Sequence, residues 1–251
     1  MISADPIPGL PELHPGDDLA ALIAAALRSA GRALQAGDVV VVAHKAVSKV
    51  EGRTRRLGDV EPSDRALQLA AAHDKDPRQV QVVLDESREV IRAVRGVLIC
   101  ETRHGFICAN AGVDASNVPG EETVLMLPLD PDGSARALRE RLTELTGVRP
   151  GVVITDSFGR AWRVGQCDVA IGVAGLEPVE DWRGRPDAGG REMLATVIAV
   201  ADQLAAVADL ARAKDAMQPV VIVSGAGRHV LTGNGPGAAA LIRHRDEDLF
   251  R

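Results

Sequence analysis

The chain has 251 residues, of which 46% are hydrophobic and 25% charged, a balance that fits a globular protein with room for a substantial core. A net charge of −6, with 2% aromatics and no tyrosine, argues against a nucleic-acid surface, which needs basic stripes and base-stacking rings. No apolar run reaches the length of a membrane span, and the opening MISADPIPGLPEL lacks a basic stretch followed by an apolar one, so no secretory signal is expected. The three cysteines, Cys100, Cys108 and Cys167, form no CxxC pair and read as buried thiols in a reducing cytoplasm, with Cys100 and Cys108 able to face each other across a hairpin.

Residues 1–15 are expected to be irregular, because Pro6, Pro8, Pro11 and Pro15 interrupt any helix. Asp17 or Asp18 should cap an Ala-rich helix running to about Leu34. The turn Gly37-Asp38 leads into a buried strand, Val39 to Ala43. His44, Lys45, Ser48 and Lys49 follow at once, and basic and hydroxyl groups just past a buried strand make one candidate site. Helical patterns follow at Ser63 to Ala72 and at Pro77 to Val94, where Val80, Val83, Val90 and Ile91 recur at helical spacing. Val97 to Thr102 and Phe106 to Ala109 read as strands joined by Arg103-His104-Gly105. The second leads into the polar loop from Asn110 to Asn117, where Asp114 is the natural metal ligand unless it only closes an Asx-type turn. Thr123 to Leu127 is a further strand, and a helix from Ser134 to Thr146 ends on Gly147.

The stretch Gly151 to Gly172 carries the densest chemistry. Val152, Val153 and Ile154 form a buried strand that stops on Thr155-Asp156-Ser157, and Val169 to Val173 is a second strand. Between them the reading is a polar loop with Arg160, Trp162, Arg163 and Gln166. An acid beside a hydroxyl at a strand end suits a hard cation such as Mg²⁺ or Mn²⁺, and the two arginines suit a phosphate or carboxylate. The plainer alternative is a turn-capping aspartate with solvated arginines. Gly175 to Gly190 is expected as a surface loop or lid, Glu192 to Ala213 as one long apolar helix in the core or at a dimer interface, and Val220 to Val223 as the last strand. The run Val221 to Gly227 imitates the start of a dinucleotide fingerprint, but Val230 stands at its third glycine and too little chain follows for a βαβ unit. No Walker A, GxSxG or HExxH motif occurs.

Taken together, the segments GLPEL with HPGDDL, VVVVAHKAVSKVEGR, HGFICANAGVDASNVPG, VVITDSFGRAWRVGQCDVAIGVAGL, ADQLAAVADL and the terminal EDLFR resemble the coenzyme F420-0:L-glutamate ligase family, in family order over essentially the whole chain. The resemblance implies an α/β (mixed α+β) fold particular to that family, with mixed sheets and packed helices, neither Rossmann nor P-loop. Residues 1–251 would form one gamma-glutamyl ligase unit, or two intertwined subdomains, matching the form without a nitroreductase-like domain. It implies a homodimeric enzyme that uses GTP and two divalent ions, Mg²⁺ or Mn²⁺, to join L-glutamate to the deazaflavin F420-0 and to add further γ-linked glutamates.

Position by position, the resemblance places Asp114 and Asp156 as metal-binding acids and Ser157 as the adjacent hydroxyl ligand. Asn117, Lys49 and the backbone of Leu10, Pro11, Glu12 and Leu13 fall where the family holds the guanine nucleotide. His44 stands where a serine, threonine or glutamine is common, and is assigned as a nucleotide contact. Near the C-terminus, Arg212-Ala213-Lys214-Asp215 and Ser224-Gly225 depart from the family's glycine loop and arginine-glycine pair, with Lys214 able to compensate by charge. Arg160 and Arg163 are assigned to the acceptor's phosphodiester or a carboxylate. Rival readings are a ligase for another amino acid or acceptor, a non-catalytic GTP- or metal-binding homologue, and a metal-dependent nucleotide hydrolase.

Overall fold

The computed structural model describes residues 1–115, 122–213 and 215–250. In chain order these form β1 (Ser3–Pro6), α1 (Leu19–Ser29), β2 (Val39–Ala43), α2 (His44–Val50), β3 (Thr54–Arg56), α3 (Asp64–His73), α4 (Pro77–Asp85) and the strands β4 (Ser87–Val94), β5 (Val97–Thr102), β6 (Ile107–Ala109) and β7 (Thr123–Leu125). Then come α5 (Pro131–Thr146), β8 (Gly151–Arg160), β9 (Arg163–Ala174), β10 (Val179–Asp181), β11 (Val197–Ala199), α6 (Val200–Ala211) and β12 (Val220–Ser224). The fold is mixed α/β, as the sequence reading expects.

A five-stranded sheet in the order β1-β12-β2-β8-β9 organises the molecule. β2 and β8 are parallel, and the other neighbours are antiparallel. The run Val39 to Val42 is buried on both faces, which is why it reads as continuous valine rather than an alternation. Val40, Val42, Val152 and Ile154 pack with α1 and α5 through Ile23, Leu27, Leu138 and Leu142. Val39, Val41, Val153 and Val221 face α6 through Val200, Leu204 and Ala208. Each such valine contributes about 1.5–3 kcal/mol by leaving water. Contact between α5 and the sheet is close, since a Cβ at Gly172 would stand 2.3 Å from the Pro131 carbonyl oxygen. A third apolar cluster joins α3 and α4 to β5 and β7 through Ala66, Val80, Val83, Leu98 and Val124.

Several local expectations are corrected. The N-terminal segment is not wholly irregular: Ser3 to Pro6 pairs with β12 as an edge strand, the one sheet position where a proline is tolerated. α1 ends at Ser29 rather than near Leu34, where Gly31 takes a left-handed conformation (φ 66°). The helix expected from Pro77 to Val94 stops at Asp85, and Ser87–Val94 turns back against β5. Arg95 (φ 51°) and Gly96 (φ 78°) form the two-residue turn between them, with the positive φ pair that matches strand twist. α5 begins at Pro131 with Asp130 as its cap, not at Ser134; Pro131 lacks the N–H that the first turn leaves unpaired anyway. Glu192 to Ala213 is not one helix, because the β-branched stretch around Val197 and Ile198 pairs with β10 before α6 starts. The fingerprint-like run after β12 leads into a short 3-10 turn, Gly227–His229, rather than a nucleotide-binding helix.

Candidate active-site cleft

β2 ends at Ala43, opposite Thr155 of the parallel strand β8, which runs on beyond it to Arg160. Past the end of β2, beside the continuing β8, opens a cleft of about 680 Å³. The carboxyl ends of parallel strands are where α/β proteins place ligands, because the connecting chains diverge there.

Stretches far apart in the sequence meet on its walls. α2 starts directly after β2 and brings His44, Lys45 and Lys49, while β8 brings Thr155, Asp156 and Ser157. Leu10, Pro11, Glu12 and Leu13 line another side, together with Asp114. Asp114 is fixed by backbone pairing with Leu125 in both directions, at 3.0 and 2.8 Å, and its Oδ2 lies 2.5 Å from Lys45 Nζ. Asp156 Oδ1 accepts the Ser157 N–H at 2.8 Å and lies 3.3 Å from His44 Nε2. His44 is 2% exposed, and its Nδ1 lies 3.3 Å from Ser48 Oγ. An Nε2–H facing the carboxylate suits the pairing with Asp156, while Nδ1 meets the Ser48 hydroxyl. The imidazole is therefore directed at Asp156 and Ser48.

The expected loop between Asp156 and Val169 is instead a continuous two-stranded ribbon, in which Ser157 opposes Asp168 and Arg160 opposes Arg163. Pairing satisfies the backbone of a stretch whose side chains are polar, which composition alone could not distinguish from a loop. Arg160 and Arg163 lie at the exposed end of this ribbon, where Arg160 Nη2 donates to Val164 O at 2.9 Å, and neither lines the cleft. Asn117 and Lys214 lie outside the described residues.

Asp168 and Arg212 are cleft residues to which the sequence assigns no role in the site. Asp168 on β9 accepts from Thr155 Oγ1 at 2.8 Å and from Ser157 Oγ at 2.6 Å, and it forms an ion pair with Arg212 just past α6. The sequence signal is weak, an acid immediately before the apolar run Val169 to Val173 of β9. Behind the cleft Cys100 and Cys108 face each other across β5 and β6, as expected, and both are free thiols. Burial pushes the Cys108 pKa up, and the Asp156 charge adds to it, so this thiol stays protonated at neutral pH.

Among the described residues no group of three or more His, Cys, Asp or Glu side chains is arranged to hold a metal alone. Nor is any helix among them long and apolar enough to cross a membrane.

The fold and cleft together define a mixed α/β protein whose candidate site lies past the end of β2, with carboxylates interleaved with lysines. Residues 9–225 match the model of the F420-0:gamma-glutamyl ligase family, so the chain belongs to that family. It is 44% identical over 251 residues to the coenzyme F420:L-glutamate ligase of Methanothermobacter thermautotrophicus, covering 100% of this chain and 99% of that one. It is 45% identical over 249 residues to the proteins of the same name from Methanopyrus kandleri (98% of this chain, 96% of that one) and Archaeoglobus fulgidus (98% and 95%).

Proposed function

We propose that this chain is a GTP-dependent ligase that joins L-glutamate to the deazaflavin F420-0 and then extends it with γ-linked glutamates. The observation that carries this reading is convergence: in a chain of this family, Leu10 to Leu13, Lys49, Asp114 and Asp156-Ser157 come from distant segments and line one cleft.

A carboxylate is a poor acyl donor, because its leaving group would be oxide. In the proposed reaction an oxygen of the acceptor carboxylate attacks the terminal phosphorus of GTP, GDP leaves, and an acyl phosphate remains. The amine of L-glutamate then attacks the acyl carbon, phosphate departs with the C–O bonding electrons, and the amine loses a proton to solvent. The first step brings a carboxylate to a triphosphate, so the protein must offset like charge. Lys45 and Lys49 supply fixed positive charge on the wall that carries Asp114 and Asp156.

The divalent ion expected for the family fits the donors present. Asp114, Asp156 and Ser157 offer only hard oxygen atoms, as Mg²⁺ and Mn²⁺ prefer. Mg²⁺ in particular completes its shell with water and substrate phosphates, so these three donors need not enclose it alone. When bound, such an ion would act as a Lewis acid on the phosphate oxygens. The protein's part is to hold Asp156 through His44 and the Ser157 N–H, and Asp114 through Lys45.

A homodimer is part of this reading. Trp162 (82% exposed) and Val164 (98% exposed) on the β8–β9 ribbon are apolar surface that a second copy would cover. Size-exclusion chromatography showing only monomer would remove that element.

The decisive experiment incubates the protein with GTP, Mn²⁺ or Mg²⁺, L-glutamate and F420-0, and reads products by mass. Gain of one or more glutamyl units with matching GDP release is the expected result. GDP release without glutamyl transfer would replace the ligase with a hydrolase, and no nucleotide consumption would leave a binding protein.

A further inference from the structure

Asp168 is a deeply buried acid on the cleft wall that accepts from two hydroxyls and pairs with an arginine, and the proposed reaction does not yet use it. Its side chain is 4% exposed, and it lies on β9 directly across from Ser157 on β8. Ser157 Oγ donates to its Oδ1 at 2.6 Å, and Thr155 Oγ1 donates to its Oδ2 at 2.8 Å. Arg212, 8% exposed, pairs with the same carboxylate, donates to Thr155 Oγ1 at 3.0 Å, and reaches Pro219 O at 3.3 Å. An unpaired carboxylate so deeply buried would be strongly disfavoured, so Arg212 is what permits it.

A hydroxyl has a single proton to give. Ser157 gives its proton to Asp168, so toward any partner in the cleft it can offer only lone pairs. That is the character a hard cation requires and the wrong one for a phosphate oxygen, which needs a donor. Hydrogen bonding to a carboxylate also raises the electron density on the serine oxygen, as outer carboxylates do for metal-bound groups. Thr155 gives its proton to the same acid and accepts from Arg212, so it braces the carboxylate.

We propose that Asp168 is a positioning residue: by taking the Ser157 proton it fixes Ser157 as an acceptor-only ligand for a divalent cation in the cleft. This rests on the metal-dependent reading above, and it is tested by binding rather than turnover. The protein with GDP is titrated with Mn²⁺, and free Mn²⁺ is read by electron paramagnetic resonance. Ser157→Ala and Asp168→Asn should each weaken Mn²⁺ binding, Asp168→Asn by about 10- to 100-fold. The double variant should be no weaker than Ser157→Ala to within about twofold, because Asp168 acts through that oxygen. A purely structural Asp168–Arg212 pair predicts additive losses or none. Mn²⁺ affinity of Asp168→Asn equal to the parent, or additivity in the double variant, would overturn the proposal while leaving the ligase reading intact. A parent protein that binds no Mn²⁺ would bring down the metal reading and this proposal together. Should Asp168→Asn fail to fold because Arg212 is left without its counter-charge, the cycle is run in Asp168→Asn/Arg212→Gln. Adding Ser157→Ala should then cost nothing further, and a clear extra loss would overturn the proposal.

Discussion

His44 Nε2 lies 3.3 Å from Asp156 Oδ1, so the first residue of α2 holds a carboxylate on the strand parallel to its own. With Ser48 behind it, His44 is braced from within its own helix. His44→Ala should lower glutamyl transfer about 10- to 100-fold at limiting Mn²⁺, the range for losing a group that orients a ligand. Much of the rate should return at saturating metal, and His44→Gln, which keeps a donor, should recover part at limiting metal. Initial rates against Mn²⁺ concentration check this; an unchanged metal dependence in His44→Ala would remove the orienting role.

Asp114 is held by backbone pairing to Leu125, so changing its charge should disturb chemistry more than structure. Asp114→Asn should reduce product formation by more than about a hundredfold, beyond what losing an outer partner alone causes. Its melting temperature should stay close to the parent's. Product mass under GTP, Mn²⁺ and glutamate is the readout, and ligation at the parental rate would sink the metal role.

Asp18 caps α1 by accepting from the Ala21 N–H at 3.0 Å, and its carboxylate also meets Arg141. The backbone bond to Ala21, with Arg141 adding to it, lowers its pKa. A folded-state pKa below the unfolded value means a contribution that is complete above the unfolded pKa and lost as pH falls through the folded one. Asp18→Ala should therefore cost about 1 kcal/mol at neutral pH. The gap from the parent should close as the medium becomes more acidic than that lowered pKa. Denaturant midpoints across acidic pH test it; a pH-independent difference would exclude the charged cap.

Arg139 is 1% exposed and donates to the carbonyls of Pro150, Leu231 and Gly233 and to Asn234 Oδ1. It ties the segment after β12 to the strand entry at Gly151, away from the cleft. Arg139→Leu strands the buried Pro150 carbonyl, at about 1–3 kcal/mol, and loses three further hydrogen bonds, so it should lower the melting temperature by roughly 10 °C. Turnover per folded molecule should stay within about twofold of the parent. A melting curve unchanged from the parent's would show that water replaces the guanidinium.

The sequence by itself determined the sheet's centre and the class of the fold. Val39 to Val42 and Val152 to Ile154 can only be strands buried on two faces, and the motifs around Asp114 and Asp156 carry the family. The choice between loop and strand for Asp156 to Gln166, and between helix and strand for Ser87 to Val94, belonged to the tertiary structure. Backbone pairing across a ribbon or hairpin depends on a partner strand, and periodicity within one segment does not encode it. The same reason hid Asp168: its importance comes from meeting Ser157 across the ribbon and Arg212 from the end of α6, contacts between positions far apart in the chain. Likewise the link from His44 to Asp156 exists only because β2 and β8 are parallel neighbours in a register that sets Ala43, where β2 ends, opposite Thr155.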